Sequence, residues 1–402
     1  MLNRNEKLLV LINAIYFIAA TMSAVFVNVY LYAFTGSIYS MTAYAMVRFT
    51  MIPLGFYVAG IVSRKWSLST ILTTGLIIII SALGYLLMFN HLFADNILLI
   101  YVVGLIIGSG EGLYWFSIVK LNLKVSTRET RAKFISTMGI FNAASTIVAP
   151  FVATMIVRLS TTDSEGYIRI FWIVIVLQML AAFVSTRVEN FFETKTYTVW
   201  DKLNLKEDGQ WRYVMTSHFI FGLRDSMLIV MTGILIYNAT GGKGSLYGDL
   251  LTGFAVLNLI ANTIASRVIQ RNNRIQIYFY GALLLFTSTM MLVLVPNLIG
   301  AIYFGLVNAL AIPFVSNTFN IIMMNAMQDY TEHEHIPGRV IAKEFALNGG
   351  RLLGMAMTIA LSFILPEPYS LIAAVTFCSV AIVVLVVYAR NYHTKRDALK
   401  QV

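Results

Sequence analysis

Twelve apolar runs, each long enough to cross a lipid bilayer, follow one another along this chain with little polar sequence between them. They fall at 8–34, 40–63, 69–90, 97–120, 134–158, 167–188, 213–237, 246–266, 275–295, 298–324, 341–365 and 369–390. About 20 apolar residues suffice for a helix to span the hydrocarbon core. A backbone in lipid must satisfy its own N–H and C=O groups, which only helices and closed barrels achieve. Runs of this length are helical, so the sequence predicts an all-α polytopic membrane protein. Composition agrees: 58% of residues are hydrophobic, only 12% are charged, and the mean hydropathy is +0.76. The first run is too long for a cleaved signal peptide, and the single cysteine, Cys378, excludes an intrachain disulfide.

A net charge of +10 could suit a nucleic-acid partner, but the placement of the charges describes membrane topology instead. One side, made of both chain ends and alternate connections between the runs, collects 23 of the 29 Lys and Arg residues, among them Arg64, Lys65, Lys120, Lys124, Arg267, Arg271, Arg274 and Arg339. The opposite side holds only Arg158, Arg169 and Lys243. Basic residues favour the cytoplasmic side, so both termini are expected in the cytoplasm and the protein in the cell membrane, with no nucleic-acid partner.

The chain also repeats itself. Tyr32-Ala-Phe-Thr-Gly36 closes the first run and Tyr237-Asn-Ala-Thr-Gly241 the seventh. Ser63-Arg64 follows the second and Ser266-Arg267 the eighth, and Asn142 in the fifth matches Asn348 in the eleventh. A spacing near 200 residues implies a duplicated six-helix unit. The expected division is an N-terminal bundle over 1–188, a cytoplasmic linker over 189–212 and a C-terminal bundle over 213–402, as two pseudo-symmetric halves. The linker mixes Phe191, Phe192, Trp200 and Trp211 with both charge signs, as a segment lying on the inner leaflet would.

Six plus six helices, a central cytoplasmic linker and cytoplasmic termini together resemble the major facilitator superfamily. Gly60-Ile-Val-Ser63-Arg64-Lys65 matches the glycine and basic pair of that family's loop signature, with Ser63 at its acidic position. Ala149-Pro150 partly matches the family's antiporter signature in the fifth span. The resemblance implies a secondary transporter working by alternating access, with a small-molecule or lipid substrate near the midplane. It implies membrane lipids as surroundings, a monomer, and no cofactor beyond a proton gradient.

Ionisable residues inside apolar runs are costly and mark function. Here they are Arg48, Glu111, the adjacent Arg224 and Asp225, and Arg351. Glu111 and Asp225 are the candidate proton carriers, since neutralising a buried acid would release a paired arginine. The alternative is a structural ion pair. Glu111 lies beside a ridge of Gly104, Gly108 and Gly112, a pattern that lets helices approach closely. Tyr114 and Trp115 follow on its side of the helix and are candidate substrate contacts, through stacking or cation–π attraction. Arg48, Arg224, Arg351, Asn258, Asn308 and Asn317 complete the candidate substrate-binding set, with Asn320 a further amide inside an apolar run and Asn142 and Asn348 assigned to the scaffold.

No glycine-rich phosphate loop is present, which argues against an ATP-driven pump. His333 and His335 lack further metal ligands nearby, so no metal site is expected. The functional expectation is proton-coupled efflux of a small amphipathic or drug-like solute. Its alternatives are proton-coupled uptake of a sugar or other organic solute, and lipid or glycolipid flipping. An intramembrane enzyme or receptor is the reading outside transport; the lone intramembrane histidine, His218, offers it little.

Overall fold

The computed structural model describes residues 2–127, 130–193, 209–270, 272–328 and 336–399. Twelve α-helices, α1 to α12, carry the predicted spans: Arg4–Thr35, Ile38–Val62, Leu68–Phe89, Leu98–Val125, Arg131–Arg158, Asp163–Ser185, Gly209–Ala239, Gly244–Val268, Arg274–Leu294, Leu298–Gln328, Ile336–Ile364 and Tyr369–Leu399. Among the described residues all twelve are long and apolar enough to cross a membrane, and none forms a strand. Several outrun their apolar stretches: α4 continues past Lys120 to Val125, and α12 passes Arg390. Most of the 189–212 segment, including Trp200, lies outside the described residues, as do His333 and His335.

The repeated pentapeptides are helix stops. Gly36 has φ 59° and Gly241 φ 68°, left-handed values that glycine tolerates best. The Gly36 N–H donates to the Tyr32 carbonyl at 2.8 Å, and the Gly242 N–H donates to the Tyr237 carbonyl at 3.2 Å. In each motif the threonine hydroxyl bonds the same tyrosine carbonyl. One end of α1 is closed by a capping box, in which Asn3 and Glu6 exchange side-chain and backbone hydrogen bonds.

The chain divides into two compact units, residues 1–196 with 243–252, and residues 197–242 with 253–402. The opening residues of α8 thus group with the first unit, where Asp249 pairs with Arg158 at 2.6 Å. In the first unit α4 packs on α2 and α3, and α1 on α5 and α6. In the second, α7 packs on α11 and α12, and α9 on α10 and α12. The second unit's core gathers Tyr213, Val214, Tyr278, Leu285 and Phe319, each exposed by 5% or less. Outward faces stay apolar: Trp172, Val176, Met179 and Phe183 line one exposed side of α6. In water such a stripe would be a liability; against lipid it is matched.

The glycine ridge on α4 does what its spacing predicts. Gly104, Gly108 and Gly112 lie against Tyr44, Arg48 and Ile52, the matching four-residue row of α2. A Cβ at Gly108 would collide with the Arg48 carbonyl. On another face of the helix, Gly110 packs on Gly75 and Ile79 of α3. Gly305, on α10 of the second unit, is used differently: the ring of Phe254 fills the space its side chain would take.

Candidate functional site

Close approach of α2 and α4 brings Arg48 and Glu111 together. The guanidinium grips the carboxylate with two bonds, Nε to Oε2 at 2.9 Å and Nη2 to Oε1 at 2.5 Å. Forked pairing of this kind is the strongest geometry available to the two groups. Their side chains retain 19% and 12% exposure, so the pair is enclosed without being sealed.

Beside it stands an aromatic stack. Tyr16 of α1 lies face to face with Tyr114, centroids 3.6 Å apart and planes 17° from parallel. Trp115 meets Tyr16 edge-on at 5.8 Å and Phe17 at 5.9 Å. Tyr16 interacts electrostatically with both Glu111 and Arg48, which ties the stack to the ion pair. Tyr114 is 0% exposed, and one of its ring faces is taken by Tyr16. Trp115 remains half-buried and retains accessible surface. The Tyr114 hydroxyl is directed at the Asn13 side-chain oxygen, 3.4 Å away, and the Asn13 amide donates to Asn142 at 3.0 Å, joining α1 to α5.

The second unit holds a second ion pair on a different helix pair. Arg351 of α11 donates Nε at 2.8 Å and Nη2 at 2.6 Å, both to Oδ2 of Asp225 on α7. Its Nη1 donates to the Asn348 side chain at 3.2 Å, and Asn348 donates to the Glu344 carbonyl at 2.8 Å. Asn348 is therefore a spacer for the arginine, whereas Asn142 bonds another amide. The pair is 18% and 20% exposed. Helix contact here is also glycine-mediated: Gly350 abuts the Phe219 carbonyl and Gly222 the Leu347 carbonyl.

Arg224 donates no hydrogen bond to this pair, although Asp225 lies within its electrostatic reach. Successive helical residues point about 100° apart, so Asp225 faces α11 while Arg224 enters the unit's core, 3% exposed. Asn258, Asn262 and Asn317 form a chain across α8 and α10: Asn317 donates to Asn262 at 3.0 Å, Asn262 to Asn258 at 3.3 Å, and Asn258 to the Ala309 carbonyl at 3.2 Å. Asn308 stands apart from that chain, its buried Nδ2 without a partner among the described residues. Asn320 is exposed.

Sequence reasoning missed Asn13, Tyr16, Phe17 and Glu193. Asn13 was open to detection, being an amide inside an apolar run. Glu193 was hidden in the linker. It is 6% exposed, its N–H donates to the Ser63 carbonyl at 3.1 Å, and its carboxylate lies 3.9 Å from Lys120 and 3.7 Å from Lys124. Leu68 N–H to the Phe191 carbonyl at 2.7 Å and Ser69 to Asn190 at 2.8 Å bind the same stretch to the α2–α3 connection.

No protein-family model matches the chain. It is 25% identical over 372 residues to YqgE, an uncharacterised protein of Bacillus subtilis (strain 168), covering 91% of this chain and 84% of that one. A Geobacillus stearothermophilus protein encoded in the sodM 3′ region is 28% identical over 169 residues, 42% of this chain and 77% of that protein. Among solved structures, a bacterial homologue of the iron transporter ferroportin superposes with a TM-score of 0.72 at 12% identity, covering 98% of this chain and 99% of that one. The nucleoside transporter NupG gives 0.67 at 10% identity with complete coverage of both chains. The Escherichia coli fucose:proton symporter FucP gives 0.61 at 16%, over 96% and 97%. The chain is a multi-pass helical protein with the fold of the major facilitator superfamily.

Proposed function

We propose that this protein is a secondary active transporter that couples proton movement to solute movement by alternating access, with both termini in the cytoplasm. One observation carries the reading: each unit holds a carboxylate–guanidinium pair far from its helix ends, enclosed yet still 12–20% exposed. A pair sealed from water could still tie helices together, at a desolvation cost, but it could not exchange protons. A pair that exchanges protons needs a path to water. Protonating Glu111 or Asp225 would loosen its arginine, changing the helix contact and the local charge together. The transporter fold supports the same reading.

For the substrate, we take export of a small amphipathic organic solute as the primary reading, with Trp115 offering ring surface and Arg48 charge. The Ala149-Pro150 pair within α5 agrees with exchange. A second reading, uptake of a hydroxyl-rich solute, draws on the amide chain Asn258–Asn262–Asn317, whose groups suit hydroxyls. The two separate in liposomes carrying the purified protein and a pH-sensitive dye. With the lumen acidic, as in inverted vesicles, an amphipathic solute added outside should drive proton efflux from the lumen under the first reading. Sugars or nucleosides should carry protons in their own direction under the second. Absence of solute-dependent proton flux across a broad panel would refute both.

A further inference from the structure

Deep within the spans of the second unit, the described residues include two arginines and one carboxylate. Among its described residues, the ionised side chains more than two turns from the end of a span are Arg224, Asp225 and Arg351. Both Arg351 bonds to Asp225 fall on one carboxylate oxygen, and this accounts for one cation. Arg224 is the other. It is 3% exposed, and its Nη2 is buried without a hydrogen-bond partner among the described residues. A guanidinium keeps its proton under all ordinary conditions, so it cannot shed the charge as a buried lysine would. The first unit shows no such excess between α2 and α4, where Arg48 and Glu111 balance.

The groups around Arg224 are hydrogen-bond donors in want of an acceptor. Tyr278 of α9, 1% exposed, has a buried hydroxyl with no partner among the described residues and lies within electrostatic range of Arg224. Ser217, 0% exposed, has a buried hydroxyl without a partner among the described residues and lies two turns before Arg224 on the same face of α7. Helical side chains lean toward the N-terminus, which carries the Arg224 head toward the Ser217 turn. Core residues Val214 and Leu285 belong to the same packed cluster as Tyr278. A guanidinium and two hydroxyls in a closed apolar shell favour a compact monovalent anion, which needs donors on all sides and little room.

We propose that Arg224, Tyr278 and Ser217 form a binding site for a halide-sized anion, chloride being the natural occupant, inside the second unit. The anion would neutralise Arg224 and accept the hydrogen bonds that these groups hold unused. This site is separate from the carboxylate pairs and does not rest on the transport reading.

The test uses the full-length protein purified in detergent, with thermal unfolding followed as chloride is replaced by gluconate at constant ionic strength. Chloride and bromide should raise Tm saturably over gluconate. Arg224→Gln should abolish the response, and Tyr278→Phe should weaken the apparent affinity by about tenfold, the weight of one hydrogen bond to a charged group. Should Arg224→Gln fail to fold, Tyr278→Phe and Ser217→Ala decide the matter on their own. A wild-type Tm indifferent to chloride would overturn the proposal, as would an unchanged response in the variants. Acetate or phosphate stabilising as well as chloride would also overturn it, since the occupant would then be an oxyanion, such as the acidic group of a solute.

Discussion

The two units solve one packing problem with the same parts in exchanged places. In the first, the ion pair Arg48–Glu111 joins the second and fourth helices, and the amides Asn13 and Asn142 join the first and fifth. In the second, the ion pair Asp225–Arg351 joins the first and fifth helices of the unit, α7 and α11, while the amide chain Asn258–Asn262–Asn317 links its second and fourth. Each unit therefore carries one charged and one neutral polar link, on opposite helix pairs. The scaffold shared by the repeat includes the Thr-Gly helix stops, whereas the close glycine contacts fall on α2–α4 in the first unit and α7–α11 in the second. The charges are additions specific to each unit, which is what a function requiring two unlike proton sites would need.

That exchange can be broken link by link. The largest loss is expected from Asp225→Asn, which leaves Arg351 and Arg224 without a carboxylate in one unit. Removing one partner of a buried pair costs about 3–5 kcal/mol, so folded protein in the membrane should fall steeply by fluorescence size-exclusion. Glu111→Gln should follow at the lower end of that range, because only Arg48 is left unmatched. Replacing both members, as in Arg48→Met with Glu111→Leu, should recover much of the stability while leaving transport uncoupled; recovery of coupling would show that the pair is structural. Next comes Gly108→Val, which forces α4 away from the Arg48 carbonyl and should cost about 1–3 kcal/mol by overpacking. The equivalent insult in the other unit, Gly222→Val against Leu347, should match it in thermal unfolding. The smallest effects belong to the amides: Asn13→Leu or Asn317→Leu should each cost about 0.6 kcal/mol, the average for a hydrogen bond between membrane helices. If Asn317→Leu matched Asp225→Asn, the division into charged and neutral links would fail.

Sequence alone went far with the scaffold. Length and polarity located twelve spans, and the four-residue glycine period announced a close helix contact, because both signals act locally along the chain. It also picked out the four ions of the two pairs deep within the spans, since a charge in an apolar run is conspicuous. It did not say which partner each ion takes. Arg224 and Asp225 are neighbours in sequence, yet the helix turns them toward different elements, and Asp225 meets Arg351 126 residues away. Tyr114 shares a side with Glu111, but its stacking on Tyr16 belongs to the α1–α4 packing, which no local period encodes. Glu193 was illegible for the opposite reason: in a polar linker an acid is unremarkable until the fold buries it beside Lys120.

Coupling is the central claim, and gradient-driven accumulation measures it. Liposomes holding wild type, Glu111→Gln or Asp225→Asn would be loaded with a solute found to move protons, then assayed under an imposed pH gradient and, separately, for exchange at equal pH on both sides. The account predicts that wild type concentrates the solute against its gradient. It predicts further that at least one of the two variants loses this ability while retaining equal-pH exchange. Undiminished uphill accumulation in both variants would contradict it, and would reduce the two buried pairs to helix ties.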